Sequence, residues 1–218
     1  MSRVRIAVLA SGNGSNLQAL IDHFAALGSA RPGDIVLVAS DQPSARALVR
    51  ASDAGIATAQ LATRAVPGGE HLASLLERNR IDLLVLAGYL RLVPPEVTKH
   101  YVGRIVNVHP GPLPEFGGSG MYGARVHRAV LEARRPQSGP TVHFVDEQFD
   151  HGAVIAHVPV PVLANDDAET LGRRVLAAEH SIFPRVVEAI AAGEISLAPD
   201  GSVTIPAGFP ARSSSRTD

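Results

Sequence analysis

Residues 83–87, Leu-Leu-Val-Leu-Ala, are apolar at every position. A strand with one wet face alternates polar and apolar residues, whereas an unbroken apolar run needs cover on both faces, the mark of a parallel sheet between helices. Runs at 5–10 (Arg-Ile-Ala-Val-Leu-Ala), 35–39 (Ile-Val-Leu-Val-Ala) and 104–108 (Arg-Ile-Val-Asn-Val) have the same character. Between them apolar residues recur at helical spacing, as in Leu17, Leu20, Ile21 and Phe24, or Leu72, Leu75 and Leu76. Strands are expected at 5–10, 35–39, 58–61 (an edge), 82–87 and 104–108. Helices are expected at 16–26, 45–54, 68–80 and 94–101, the second closed by Gly55. Alternating strands and helices predict an α/β fold: a Rossmann-like, mostly parallel twisted sheet with helices on both faces and right-handed crossovers.

After residue 109 the pattern changes. Residues 110–123 are rich in Pro and Gly and read as a loop. A helix at 122–134 follows, then two strands at 141–145 and 153–160, an antiparallel extension of the sheet. A long helix spans 166–192 with Pro184 as a break or kink, and a hairpin at 194–205 turns on Pro199-Asp200-Gly201. The pattern predicts one domain over 1–209, with a first half at about 1–103 and a second at about 104–209, and a disordered tail at 210–218.

The hydrophobic content of 45% suffices for a sizeable core. A net charge of -1 supplies no basic field for nucleic acid or anionic membrane, so any anion must be held by a local device. Without cysteine there is no disulfide, thiolate catalyst or Cys-based zinc site, which suits a reducing cytoplasm. No window has the apolar length of a membrane span. None of the nine histidines stands in a tight ligand spacing, so no metal is expected.

Ile105-Val106-Asn107-Val108-His109-Pro110 carries the strongest chemical signal. Side chains alternate along a strand, so Asn107 and His109 share a face, roughly 7 Å apart. A non-ionising amide donor beside a group that holds a proton near neutral pH can polarise and protonate one carbonyl oxygen. A strand end with two solvent-facing polar residues explains the pair equally well. Ser11-Gly12-Asn13-Gly14-Ser15-Asn16 joins the first strand to the first helix. Free N–H groups at such a helix start bind anions. The loop lacks the third glycine of the dinucleotide fingerprint and the lysine of the P-loop, so a phosphate monoester fits best. A βα turn capped by Ser15 or Asn16 is the plainer alternative. The acids of residues 146–150 read as a solvated turn at Asp146 and Glu147. Asp150 re-enters a strand, where it can face His109 and favour its charged form.

These pieces, with Leu-Ala-Gly-Tyr-Leu-Arg at 86–91 and Thr-Val-His-Phe-Val at 141–145, resemble the phosphoribosylglycinamide formyltransferases, a family of folate-dependent formyltransferases, over nearly the whole chain. The resemblance implies a formyltransferase fold. It also implies formyl transfer from 10-formyltetrahydrofolate, as co-substrate, to the amine of 5′-phosphoribosylglycinamide in purine biosynthesis, without a metal. It assigns catalysis to Asn107, His109 and Asp150, and a phosphate cradle to Gly14, Ser15 and Asn16. It places Glu179 at the substrate amine. The folate falls against Leu90, Arg91, Leu92, Val93, Asn107, Val145 and Asp146, and Arg64 is an anion contact. The implied partners are small molecules, with the chain a monomer or homodimer. Two departures stand out: Gly111 replaces the family's usual Ser after His-Pro, and the loop at 116–123 is longer and richer in glycine. Histidine 143 alternates with Val142 and Phe144 and reads as a core or supporting residue. Other folate-dependent formyltransferases, a formyl-folate hydrolase and a non-catalytic nucleotide-binding module are the alternatives.

Overall fold

The computed structural model describes residues 2–63 and 68–209. Arg64 and the tail at 210–218 lie outside the described residues. Strands β1 (Val4–Leu9), β2 (Gly33–Ser40), β3 (Ala57–Gln60), β4 (Leu83–Leu86), β5 (Ile105–His109), β7 (Thr141–Phe144) and β8 (Val154–His157) form one sheet in the order β3-β2-β1-β4-β5-β7-β8. The pairings from β3 through β5 are parallel, and β5–β7 and β7–β8 are antiparallel. The expected α/β architecture, with its antiparallel extension, is what forms.

Alternation along each strand builds two cores. Ile6, Val8, Val85, Val106 and Val108 face α1 (Ser15–Ala26) and the 24-residue α6 (Ala168–Ala191). Ala7, Leu9, Leu84, Leu86 and Ile105 face α3 (Leu72–Arg78) and α4 (Pro95–His100). Asn107 and His109 continue the second series. They emerge at the carboxyl end of β5, beside the point where strand order reverses between β1 and β4, which is where ligands bind in open α/β sheets.

Some boundaries differ from expectation. Helix α3 begins at Leu72 rather than 68, because Glu70 pairs with the main chain of Gln60 and Ala62 and holds that stretch extended. Helix α2 (Arg46–Asp53) is closed by left-handed Gly55, as read from the sequence. The helix after the Gly-rich loop, α5, is shorter than drawn (Ala124–Glu132). The strand expected at 153–160 splits, since Pro159 cannot donate to a ladder. β8 stays in the main sheet, while β9 (Val160–Pro161) pairs with β6 (Gln137–Ser138), a strand the sequence did not announce. Helix α6 runs through Pro184 without a break, opened by a capping box between Asp167 and Thr170. The final hairpin, β10 (Ser196–Leu197) with β11 (Val203–Thr204), forms where expected. Among the described residues no helix is long and apolar enough to cross a membrane.

Candidate active site

The carboxyl ends of β4 and β5 open into a cavity of about 660 Å³. Its floor carries Asn107, His109, His143 and Asp150. Strand pairing places Asn107 directly opposite His143, and both are aimed by the same ladder. Asp150 arrives from the loop after β7 in a left-handed conformation, φ 54°, which Asp tolerates better than most residues. Gly152 behind it is obligatory, because a Cβ there would fall 2.0 Å from the Phe144 carbonyl oxygen.

Asp150 is the hub. Its Oδ2 lies 3.3 Å from His109 Nδ1 and accepts the Gly118 N–H at 3.0 Å. Its Oδ1 accepts from Asn107 Nδ2 at 3.4 Å and lies 3.6 Å from His143 Nε2. Burial pulls the Asp150 carboxyl upward, but the hydrogen bonds of His109 and His143, the His109 charge and the Gly118 N–H outweigh it and hold it well below the usual carboxylate range. His109 Nε2 meets the Phe116 carbonyl at 2.8 Å. Both its ring nitrogens therefore face acceptors, which only a ring with two N–H groups satisfies together. His143 Nδ1 donates to the Phe144 carbonyl at 2.7 Å, so in the neutral ring Nε2 accepts from Asn107 Nδ2 at 3.0 Å; it donates to Asp150 only when the ring is charged.

At the start of α1 the N-cap is Gly14, φ 74°, and no side chain caps the helix. The capped-turn alternative therefore does not hold, and the helix N-terminus is open to an anion. A Cβ on Gly14 would sit 2.8 Å from the Cα of Ala47, so the close turn excludes larger residues. The side chain of Asn16 points inward instead, donating from Nδ2 to Glu179 Oε2 at 2.6 Å. Its buried Oδ1 has no partner, and Asn16 and Glu179 both line the cavity. Burial pushes the Glu179 carboxyl up, opposed by the Asn16 hydrogen bond and the His109 charge.

Leu90, Arg91, Leu92, Val93 and Val145 line the cavity as the resemblance implied. Asp146 does not: its carboxylate is drawn aside by His151 Nδ1 at 2.6 Å and the Gln148 N–H at 2.8 Å, a local turn that faces solvent. Gly14 and Ser15 are not among the lining residues either. A shallower depression beside the loop is lined by Ser11, Gly12 and Asn13. Further groups at the site had no individual role in the sequence reading, although some lie in segments expected to border the cleft. The Phe116 carbonyl and Gly118 N–H are main-chain groups without a residue-type signal. Tyr122 and Phe149 are exposed rings on the cavity wall, in a chain with few aromatics. His127 is buried against Gly172 of α6 with its Nδ1 unpartnered, and burial, then the His109 charge, pushes it down. Burial, then the Asp41 charge, pushes the Tyr89 phenol up to about 12, leaving a neutral donor on the wall.

The family model for formyl transferase matches residues 4–187, a span that includes every member of the hub. The chain belongs to the formyl transferase family. It is 39% identical, over 91% of its length and 69% of the relative's, to the chloroplastic phosphoribosylglycinamide formyltransferase of Arabidopsis thaliana. It is 40% identical over 92% of its length to the trifunctional purine biosynthetic protein adenosine-3 of Drosophila melanogaster, of which it spans 15%. The crystal structure of phosphoribosylglycinamide formyltransferase from Anaplasma phagocytophilum superposes with a TM-score of 0.83 at 34% identity, covering 95% of this chain and 96% of that one.

Proposed function

We propose that the chain transfers a formyl group from 10-formyltetrahydrofolate to the amine of 5′-phosphoribosylglycinamide, a step of purine biosynthesis. The observation that carries this is the convergence of Asn107, His109 and Asp150 on one cavity floor, beside an uncapped helix start. The lining suits the donor: Leu90, Leu92, Val93 and Val145 offer apolar cover for a pterin, and Asn107, His109, His143 and Asp150 supply convergent polar groups. The open N-terminus of α1 holds the 5′-phosphate through main-chain N–H groups of Gly14, Ser15 and Asn16. Fixing that phosphate away from the reacting amine orients the substrate, a large part of the rate. Glu179 and the orphaned Asn16 oxygen take donors at the amine end of the substrate. One domain, residues 1–209, carries both halves of the site.

The amine adds to the formyl carbon and negative charge develops on the formyl oxygen. Asn107 donates to that oxygen, worth about 3 kcal/mol by the measure of an oxyanion-hole donor, and the His109 ring, its two N–H groups held by Asp150 and the Phe116 carbonyl, stabilises the developing charge from beside it. The long Asn107–Asp150 contact is the bond this exchange gives up. Asp150 orients the water through which the amine's proton passes to N10, and as the adduct collapses the bond between the formyl carbon and N10 breaks and tetrahydrofolate leaves. No side-chain nucleophile enters, so no acyl-enzyme is expected.

The test is ultraviolet absorbance of the formyl-folate donor mixed with the protein, with and without phosphoribosylglycinamide. Tetrahydrofolate released only when the amine is present supports the transferase. Release without the amine selects a hydrolase, and no release selects a binding module.

A further inference from the structure

The Gly-rich turn touches the hub at two points, both through its main chain. The carbonyl of Phe116 takes His109 Nε2 at 2.8 Å, and the Gly118 N–H takes Asp150 Oδ2 at 3.0 Å. Gly117 between them has no room for a side chain: a Cβ would meet Leu113 Cδ2 at 2.4 Å and Asp150 Cβ at 2.9 Å. The opposite flank is bare as well. A Cβ on Gly111 would meet Val126 Cγ1 at 2.5 Å, with His109 Nε2 and Phe116 Cβ each at 3.4 Å. Two glycines thus let one turn close on the imidazole and the carboxylate together.

We infer that Phe116, Gly117 and Gly118 form a positioning element of the reaction, whose main chain sets the distance and angle between His109 and Asp150. It rests on the formyl-transfer proposal above and adds to it a role for main-chain groups that act through His109 and Asp150. The groups that face Asp150 are His109 from β5, His143 from β7, Asn107 and the Gly118 N–H, so displacing the turn disturbs the carboxylate directly.

The experiment compares the intact protein with Gly117→Ala, Leu113→Ala and the double variant. It follows kcat, KM for each substrate, Tm, and the downfield proton resonances of the His109 ring N–H groups in the ligand-free protein. In Gly117→Ala the Asp150-bonded ring N–H signal should shift or vanish. Its kcat should fall between about 10- and 100-fold, as expected for a misplacement near 1 Å, with both KM values held within about twofold. Leu113→Ala should not restore it, since the encounter with Asp150 remains. A kcat near that of the unaltered protein, rescue by Leu113→Ala, or an unmoved ring N–H signal would overturn the inference. If the unaltered protein transfers no formyl group, the proposed function falls, while the ring signals still decide the positioning role.

Discussion

Asp150 is the residue on which the most interactions converge. It is almost fully enclosed, and its two oxygens are shared among an imidazole, an amide, a second histidine and a main-chain N–H. Asp150→Asn keeps the shape and removes the charge, so it should lower turnover by orders of magnitude with KM for the phosphorylated substrate little changed. His109→Ala should do the same. Asn107→Ala removes one oxyanion donor, with a loss of about 10²–10³ in kcat. Single-turnover rates measured beside substrate affinity check all three, and near-normal turnover in any of them contradicts the assigned chemistry. Glu179 makes a pH prediction. Its folded pKa is raised, chiefly by burial, so its contribution to stability is complete below the ordinary carboxyl range and is lost as pH rises through the folded value. Glu179→Gln cannot ionise. Its Tm relative to the unaltered protein should therefore climb from acid to neutral pH, and a flat difference across a Tm–pH series would contradict that.

Helix α6 shows why a sequence announces some features and hides others. Its apolar spacing is plain, and Leu171, Val175, Phe183 and Val187 are buried where periodicity places them. Gly172 in the same helix reads as a weak helix former, yet its bare Cα is what admits the His127 ring: a Cβ would lie 2.9 Å from Cδ2. Gly172→Ala gains about 1 kcal/mol of helix propensity. The overpacking should cost about 1–3 kcal/mol, so the expected net is a loss of stability in denaturant unfolding. The main strands, the parallel pairing of the first half, the glycine turn into α1 and the shared face of Asn107 and His109 were legible because each rests on local spacing or on residue type. The Asn16–Glu179 bond links residues 163 apart in sequence, and nothing local at either position points to the other. Asp146 read as a solvated turn from its own residues and as a folate contact from the resemblance, and the turn with Gln148 and His151 is what forms. Strand β6 is too short for any alternation to show, and Pro184 reads as a helix breaker although the fold continues through it.

At the scale of the whole molecule the cavity is a junction. It is lined by residues at the ends of β4 and β5, from α1 and α6, and from the Gly-rich turn, so a ligand there ties together parts of the chain that pack in separate clusters. Binding to the native state alone adds about 2.7 kcal/mol at a ligand concentration of 100 Kd. For a chain of this size that corresponds to a rise in Tm of about 5–10 °C. A phosphoribosyl ligand and a folate analogue should each give such a shift in a thermal melt, and no shift with either would mean that neither binds, contradicting the proposed substrates. The change from parallel to antiparallel pairing at β5 and β7 has a further consequence. Asn107 and His143 meet because their strands are in step, and sliding one strand by a single residue would send a side chain of the pair to the far side of the sheet. Correct alignment during folding is thus also proofreading of the chemistry: a misaligned molecule could keep much of its hydrophobic burial and still have nothing to offer a formyl group.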